Sequence, residues 1–322
     1  MREVNKKVLL IFVFLMAVTM MVPPLVLPVQ AKITEVNPGL GYTEYYGTMG
    51  GANFFILIPD DWTNQLGDGM LVMLCRPALW TEDPRAYELN YLFAQGLAMQ
   101  GIAVAASNYG PEDSGVKDGV IRMHQLTMFV IDNYDFAGKV FLLGTSLGGC
   151  VALLLGEKYP DVYSGVLETS GVKDWAASYN DLIGYSGSDP FLLFWKAMRV
   201  PGMEETYGGT PEEKPNKYAK YSPTHHADMA IPVISVVHVD DAIVQPTQTD
   251  LYHAALSDPS LHVVVEITEN TPGDFPFPGA TGWYGHFDPL TFVARIVYFP
   301  LLVMWSNGII TPGDIPPVFP PP

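Results

Sequence analysis

Gly144-Thr145-Ser146-Leu147-Gly148-Gly149 is the segment of this chain whose residue types and spacing most directly imply chemistry. It follows an apolar run at 139–143 and opens a stretch with helical spacing at 149–158. A G-x-S-x-G pentapeptide is common by chance, but at a strand-to-helix turn it is specific. There the serine occupies a strained turn, and flanking glycines admit neighbouring backbone where a Cβ would clash. Ser146 Oγ would stand above a sheet, and the helix N-terminus beside it would favour developing negative charge. That is the chemistry of a nucleophile attacking a carbonyl carbon.

A nucleophilic serine needs a base, and the base needs an orienting carboxylate. Of the seven histidines, His286 stands in Gly282-Trp283-Tyr284-Gly285-His286-Phe287, in the loop after the apolar run His262–Ile267. That loop leaves a late strand on the side to which the serine turn points, so His286 is the expected base. His225 and His226 lie near the end of a long irregular stretch. His124 and His253 fall inside helical patterns, where packing or exposure accounts for them. For the acid, Val236-Val237-His238-Val239-Asp240-Asp241-Ala242-Ile243-Val244 sets two aspartates directly after a strand. Asp241 is preferred, because Ile243 and Val244 would fold the loop back under the histidine. Asp240 is its rival, and Glu168 and Asp174, after the preceding strand, are further candidates.

The elements that must position these residues are legible as alternating runs. Tyr42–Met49 and Ala52–Pro59, around Gly50-Gly51, read as a hairpin. Apolar runs at 70–75, 102–107, 139–144 and Gly165–Thr169 are too short for helices, and helical spacing separates them at 87–100, 121–133 and 149–158. Strand–helix alternation with near-continuous apolar strands predicts a mostly parallel sheet covered on both faces, an α/β fold. The rhythm breaks at 172–230, which holds Trp175, Tyr179, Phe194, Trp195, Tyr207 and Tyr218 among Gly, Pro and acidic residues. This length exceeds an ordinary connection. It reads as a cap or lid shaping a pocket, the alternative being a helical excursion whose aromatics only bury one another. Alternation resumes with a strand at 231–239, a helix at 248–256, the strand His262–Ile267, and a last helix at 287–306 disturbed by Pro300. The proline-rich 307–322 reads as an extended tail.

The ends and the composition bound the setting. Arg2, Lys6 and Lys7 precede an uncharged apolar run at 8–22, and Val29-Gln30-Ala31 offers small residues for signal cleavage before Lys32. An uncleaved anchor is the alternative, but Pro23, Pro24 and Pro28 interrupt the span it would need. Residues 1–31 are therefore expected to be a signal peptide, with the catalytic domain at 32–306 outside the cytoplasm and no stable membrane insertion after cleavage. Hydrophobic residues make up 48% of the 322-residue chain and charged residues 16%, which excludes global disorder. A net charge of −17 argues against nucleic acid and anionic lipid as partners. The only cysteines, Cys75 and Cys150, lack metal-ligand spacing, and whether they pair is left open. No cofactor is called for.

From Tyr42 to about Ser306 the chain resembles the α/β-hydrolases, in which nucleophile, acid and base occur in the order of Ser146, Asp241 and His286. Within them it is similar to secreted esterases and prolyl-oligopeptidase-like hydrolases, through Tyr221-Ser222-Pro223 before Ile231-Pro232-Val233 and the acid loop, and through the cap-sized insertion. The resemblance implies a triad of Ser146, Asp241 and His286, and an oxyanion hole using the backbone N–H of Leu147. Where relatives often carry His-Gly to supply a second donor, this chain has Leu74-Cys75-Arg76-Pro77-Ala78-Leu79. Proline has no N–H, so the second donor would be Arg76 or Ala78. Trp175, Phe194, Trp195 and Trp283 are the expected substrate contacts. A small-molecule or polymer-linked ester with an aromatic or short acyl part is the expected substrate. A peptidase of prolyl-oligopeptidase type, an acyltransferase and a non-catalytic binding protein on the same scaffold are the alternatives.

Overall fold

Short runs of apolar residues become the central strands because each is buried on both faces and must satisfy its backbone within the sheet. The computed structural model describes residues 30–62, 69–78, 83–86, 88–110, 115–269 and 284–319. The stretch read as a signal lies outside them up to residue 29, and so does Trp283. The described strands are β1 (Ala31–Pro38), β2 (Tyr42–Met49), β3 (Ala52–Pro59), β4 (Leu71–Cys75) and β5 (Ala103–Ser107), followed by β6 (Val140–Thr145), β7 (Gly165–Thr169), β8 (Val233–His238), β9 (His262–Ile267) and β10 (Val318–Phe319). They form one sheet in the order β1-β2-β3-β5-β4-β6-β7-β8-β9-β10. Pairing is antiparallel from β1 to β3 and between β3 and β5. From β5 to β10 it is parallel.

The helices are α1 (Glu88–Ala98), α2 (Val116–Asn133), α3 (Leu147–Lys158), α4 (Trp175–Gly184), α5 (Pro190–Tyr207), α6 (Pro215–Lys220), α7 (Thr247–Ala255), α8 (Tyr284–Phe287) and α9 (Pro289–Ser306). Strand alternation sorts the core into two faces. Val72, Leu74, Phe141, Leu143, Leu167, Ile234 and Val236 meet α1 and α9, through Ala94, Ala294, Tyr298 and Leu302. The opposite parity turns to α2 and α3, as where Val166 lies against Gly156. Helix α3 is buried at every residue from Leu147 to Gly156, as its near-complete lack of charge requires. After β5 the chain recrosses β4 to lay down β6, so the strand order reverses there. The crevice outside the carboxyl ends of the strands at such a point is where open α/β sheets bind ligands.

Three features depart from the sequence reading. Strand β1 was not anticipated. It is a largely exposed edge strand with a register irregularity between Ile33 and Glu35, features that blunt a free edge. Helix α2 begins at Val116, ahead of the expected 121, because Gly119 lets it close on α3: a Cβ there would lie 2.7 Å from Val151. Helix α9 runs on through Pro300, whose exposed ring faces the side where Ile296 is also open to water. The proline-rich end, expected to be extended, holds a 3-10 turn at Pro312–Asp314 and then joins the sheet. Val318 and Phe319 pair with Glu266 and Ile267, and the carbonyl of Pro317 before them accepts from the Glu266 N–H at 2.8 Å.

A polar cluster at the amino ends of the strands sets the pH range of stability. The Glu157 carboxyl is shut away from water and accepts a hydrogen bond from Tyr252 at 3.1 Å. Burial raises its pKa to about 8. His262, against Ser235 Oγ at 2.8 Å and His253 Nδ1 at 3.1 Å, is lowered to about 3 by burial, with Lys173 and His253 adding to the effect. The folded protein keeps a proton on Glu157 that the unfolded chain has released, so stability falls as pH climbs from 4.5 toward 8. It refuses on His262 a proton that the unfolded chain accepts, so stability falls as pH drops from 6.5 toward 3. Each slope is at most about 1.4 kcal/mol per pH unit, and the two oppose between 4.5 and 6.5. Melting temperature is expected to be highest across that window. Glu157→Gln should flatten the alkaline fall, and a variant with the wild-type alkaline slope would contradict the assignment.

Candidate active site

Ser146 leaves the end of β6 and is the residue before α3, with φ 54° and ψ −122°. Few non-glycine residues adopt such a conformation, and it persists only where the surroundings over-determine it. Here the N–H of Ser146 donates to the Thr169 carbonyl at 3.0 Å, and its own carbonyl accepts from Val172 N–H and Cys150 N–H, both at 3.2 Å. The glycines around it are demanded by close backbone. A Cβ at Gly144 would meet the Gly148 carbonyl oxygen at 2.2 Å, one at Gly148 the Cys75 oxygen at 2.0 Å, and one at Gly149 the Gly171 Cα at 2.6 Å.

Asp241, in the turn after β8, and His286, on α8, are brought together. Both are buried, and the His286 Nδ1 to Asp241 Oδ2 distance is 2.9 Å. The other carboxylate oxygen, Oδ1, accepts from the N–H groups of Ile243 and Val244, each at 2.9 Å. The carboxylate is thus aimed by its own loop. Gly285 makes the meeting possible, since a Cβ there would lie 2.3 Å from the Asp241 nitrogen. Asp240 is exposed. The further candidate acids are otherwise engaged. Glu168 forms a fully buried ion pair with Lys173 at 2.8 Å. Asp174 caps α4 by accepting from Ala176 and Ala177 N–H, with His225 at 3.6 Å. His226 contacts the Lys220 carbonyl, and His124 stacks on Tyr159.

Leu147 is the first residue of α3, where N–H groups have no carbonyl one turn back to bond. The segment after β4 presses directly on this turn. The Arg76 side chain donates from Nε to the Asn108 carbonyl at 2.8 Å and lies over the Tyr109 ring. Ala78, part-buried, follows Pro77. Cys75 and Cys150 are separate, buried thiols, and burial pushes both well above the ordinary thiol pKa.

Helices α4 and α5 wall the space in front of Ser146. A narrow cavity of about 30 Å³ is lined by Ser146, Val172, Trp175, Trp195, Ile243 and Val244, among others. It therefore joins Ser146 to the loop that holds Asp241. Beyond Leu147, Trp175 and Arg199 lies a second cavity of about 620 Å³, bounded by Gly115 and Asp118 of the α2 start and by Glu205 and Thr206. Trp175 and Trp195 thus stand on the pocket wall, whereas Phe194 is 57% exposed and is not among these lining residues. Tyr179, Tyr207 and Tyr218 pack against one another as the insertion's own core.

The residues that sequence reasoning missed form a layer behind the elbow. Thr145 and Thr169 share a hydrogen bond at 2.8 Å, and Arg295, buried on the otherwise uncharged α9, reaches Thr169 Oγ1 at 2.9 Å and Asn90 at 2.9 Å. The Glu168–Lys173 pair grips Gly171 through its N–H at 2.7 Å and its carbonyl at 3.0 Å. That grip fixes Val172, which holds the Ser146 carbonyl. A lone arginine in an apolar helix and a lysine in an apolar run were the signals available.

Comparison with known proteins agrees with this architecture. The Esterase family model matches residues 121–266, from α2 through Ser146 and Asp241 into β9. A puromycin hydrolase superposes on 91% of this chain with a TM-score of 0.58 and 17% identity. This chain spans only 40% of that protein's length. The acetyl xylan esterase from Paenibacillus sp. R4 matches 84% of this chain and 88% of its own, with a TM-score of 0.58 and 13% identity. The rice cell wall degrading esterase LipA from Xanthomonas oryzae matches 86% and 98%, with a TM-score of 0.59 and 14% identity. At such identities the likeness to solved structures concerns the fold. No curated protein matches. An Esterase match across the elbow and the acid loop, on a sheet shared with these solved structures, supports an α/β-hydrolase fold of the esterase and prolyl-oligopeptidase-like kind.

Proposed function

We propose that this protein is an exported serine esterase that cleaves short-acyl carboxylic esters through an acyl-enzyme on Ser146. The observation that carries this reading is the buried 2.9 Å contact of His286 with Asp241, whose loop shares a cavity wall with a serine held at φ 54°. His286 Nδ1–H donates to the carboxylate, which leaves Nε2 as the acceptor for the Ser146 proton. Ser146 Oγ attacks the ester carbonyl, and the Leu147 N–H with one donor from Arg76 or Ala78 stabilises the oxyanion. His286 then protonates the departing alcohol, and water activated by the same imidazole releases the acid. The amino-terminal signal supports export, so the substrate is a small or polymer-linked ester outside the cytoplasm.

The cavities support the acyl preference. About 30 Å³ beside Ser146 is far below the ~150 Å³ apolar cavity that holds a benzene ring, which favours an acetyl-sized group over a hydroxycinnamoyl one. The 620 Å³ space, with Arg199, Asp118, Glu205 and Thr206 on its wall, suits the alcohol part. The test is hydrolysis of p-nitrophenyl esters from acetate to octanoate by the protein from Lys32 onward. kcat/KM should fall on the order of tenfold per methylene once the pocket is full, and Trp195→Ala should extend the tolerated length. Faster octanoate or hydroxycinnamate cleavage would overturn the short-acyl assignment, and inactivity on every ester would overturn the esterase itself.

A further inference from the structure

His238 is the last residue of β8, fully buried and three positions before Asp241. Its imidazole belongs to neither the nucleophile nor the base. The N–H of Asp240 donates to Nδ1 at 3.1 Å, so Nδ1 carries no proton and Nε2 does. Nε2–H donates to the Glu269 carbonyl at 3.2 Å, and Asp288 Oδ2 stands 3.9 Å away. The His238 carbonyl in turn accepts the N–H of Asp241 at 3.1 Å. Asp288 lies two residues past His286 and caps α9 by accepting from Leu290 N–H at 2.8 Å. One ring therefore touches the acid loop, the chain leaving β9, and the start of the helix that follows the base.

We propose that His238 is a positioning residue that holds Asp241 and His286 in register. This rests on the reading of those two residues as acid and base. The physical reason is that the acid and the base come from separate segments, Asp241 from the turn after β8 and His286 from α8. A 2.9 Å contact between them needs something that spans both. Its ring does so with two directed hydrogen bonds, to the Asp240 N–H and the Glu269 carbonyl, and with Asp288 Oδ2 at 3.9 Å, in a site shut off from water, where such interactions are strongest. Losing the ring frees the Asp240–Asp241 turn, and a displacement of about 1 Å in a catalytic group costs on the order of 10²-fold in rate.

The experiment compares wild type with His238→Ala, His238→Leu and His238→Asn. It uses ester turnover and the downfield proton resonance of His286 Nδ1–H in protein labelled with 15N-histidine. Alanine and leucine are expected to weaken or abolish that resonance and to lower kcat about 10²-fold with KM nearly unchanged. Leucine serves if alanine does not fold. Asparagine can still accept the Asp240 N–H through its side-chain oxygen, so it should recover much of both signals. A leucine protein with the wild-type resonance and kcat, or an asparagine protein no better than leucine, would overturn the proposal. Wild-type protein that displays the resonance yet hydrolyses no ester would sink the esterase reading instead, because the resonance reports on the register alone.

Discussion

Ser146→Ala is expected to lower kcat for p-nitrophenyl acetate by about 10⁶. Ser146 Oγ is the atom that would bond to the acyl carbon, and alanine offers nothing in its place. His286→Ala should cost about as much, and the double variant no more than either single one, because nucleophile and base act as a unit. A product of the two losses would mean that they act independently, which the scheme does not allow. Stability provides an independent check on the elbow. Alanine at φ 54° is as strained as serine, so Ser146→Ala should melt near wild type. Glycine adopts that conformation freely, so Ser146→Gly should be equally inactive yet about 1 kcal/mol more stable. Wild-type turnover in Ser146→Ala would end the nucleophile assignment.

Asp241→Asn is expected to lower kcat about 10⁴-fold, whereas Asp240→Asn should leave it close to wild type. The N–H groups of Ile243 and Val244 both donate to one carboxylate oxygen of Asp241. An asparagine must satisfy them with its single carbonyl oxygen, which turns its amide NH2 toward His286. Nδ1 then has to accept, and the proton moves to Nε2, the nitrogen that must be bare to receive the serine proton. The side chain keeps its shape and the base is lost through its tautomer. Asp240, by contrast, is exposed, and its backbone rather than its carboxylate meets His238. Rates of both variants across pH decide the matter. A severe loss in Asp240→Asn with a mild one in Asp241→Asn would exchange their roles.

The hexapeptide at Ser146 was legible because each glycine answers a local demand, the approach of backbone to within a Cβ's radius. The central strands were legible because burial on both faces leaves no room for polar residues, so their apolar runs stand out. Strand β1 has no such run: most of its residues face water, and its place rests on pairing with β2 and on the Glu35–Arg85 ion pair. Asp240 and Asp241 are neighbours of one type, and Ile243-Val244 supplied a reason for preferring the second. The turn after β8 buries one and exposes the other, a distinction no composition carries.

Sequence alone determined the α/β alternation, the insertion at 172–230, and a serine, an aspartate and a histidine in an order fit for acyl transfer. These are properties of short segments, written in hydrophobic period and in glycine spacing. Tertiary structure decided which side chains meet. It put the 2.9 Å contact between residues 45 positions apart, set Trp175 and Trp195 rather than Phe194 on the pocket wall, and buried Arg295, Lys173, Glu168 and His238 behind the site. Such contacts depend on where separate strands end and how their turns fold back. A buried polar side chain is tolerated only where partners from other elements converge on it, so its role cannot be read from its own segment.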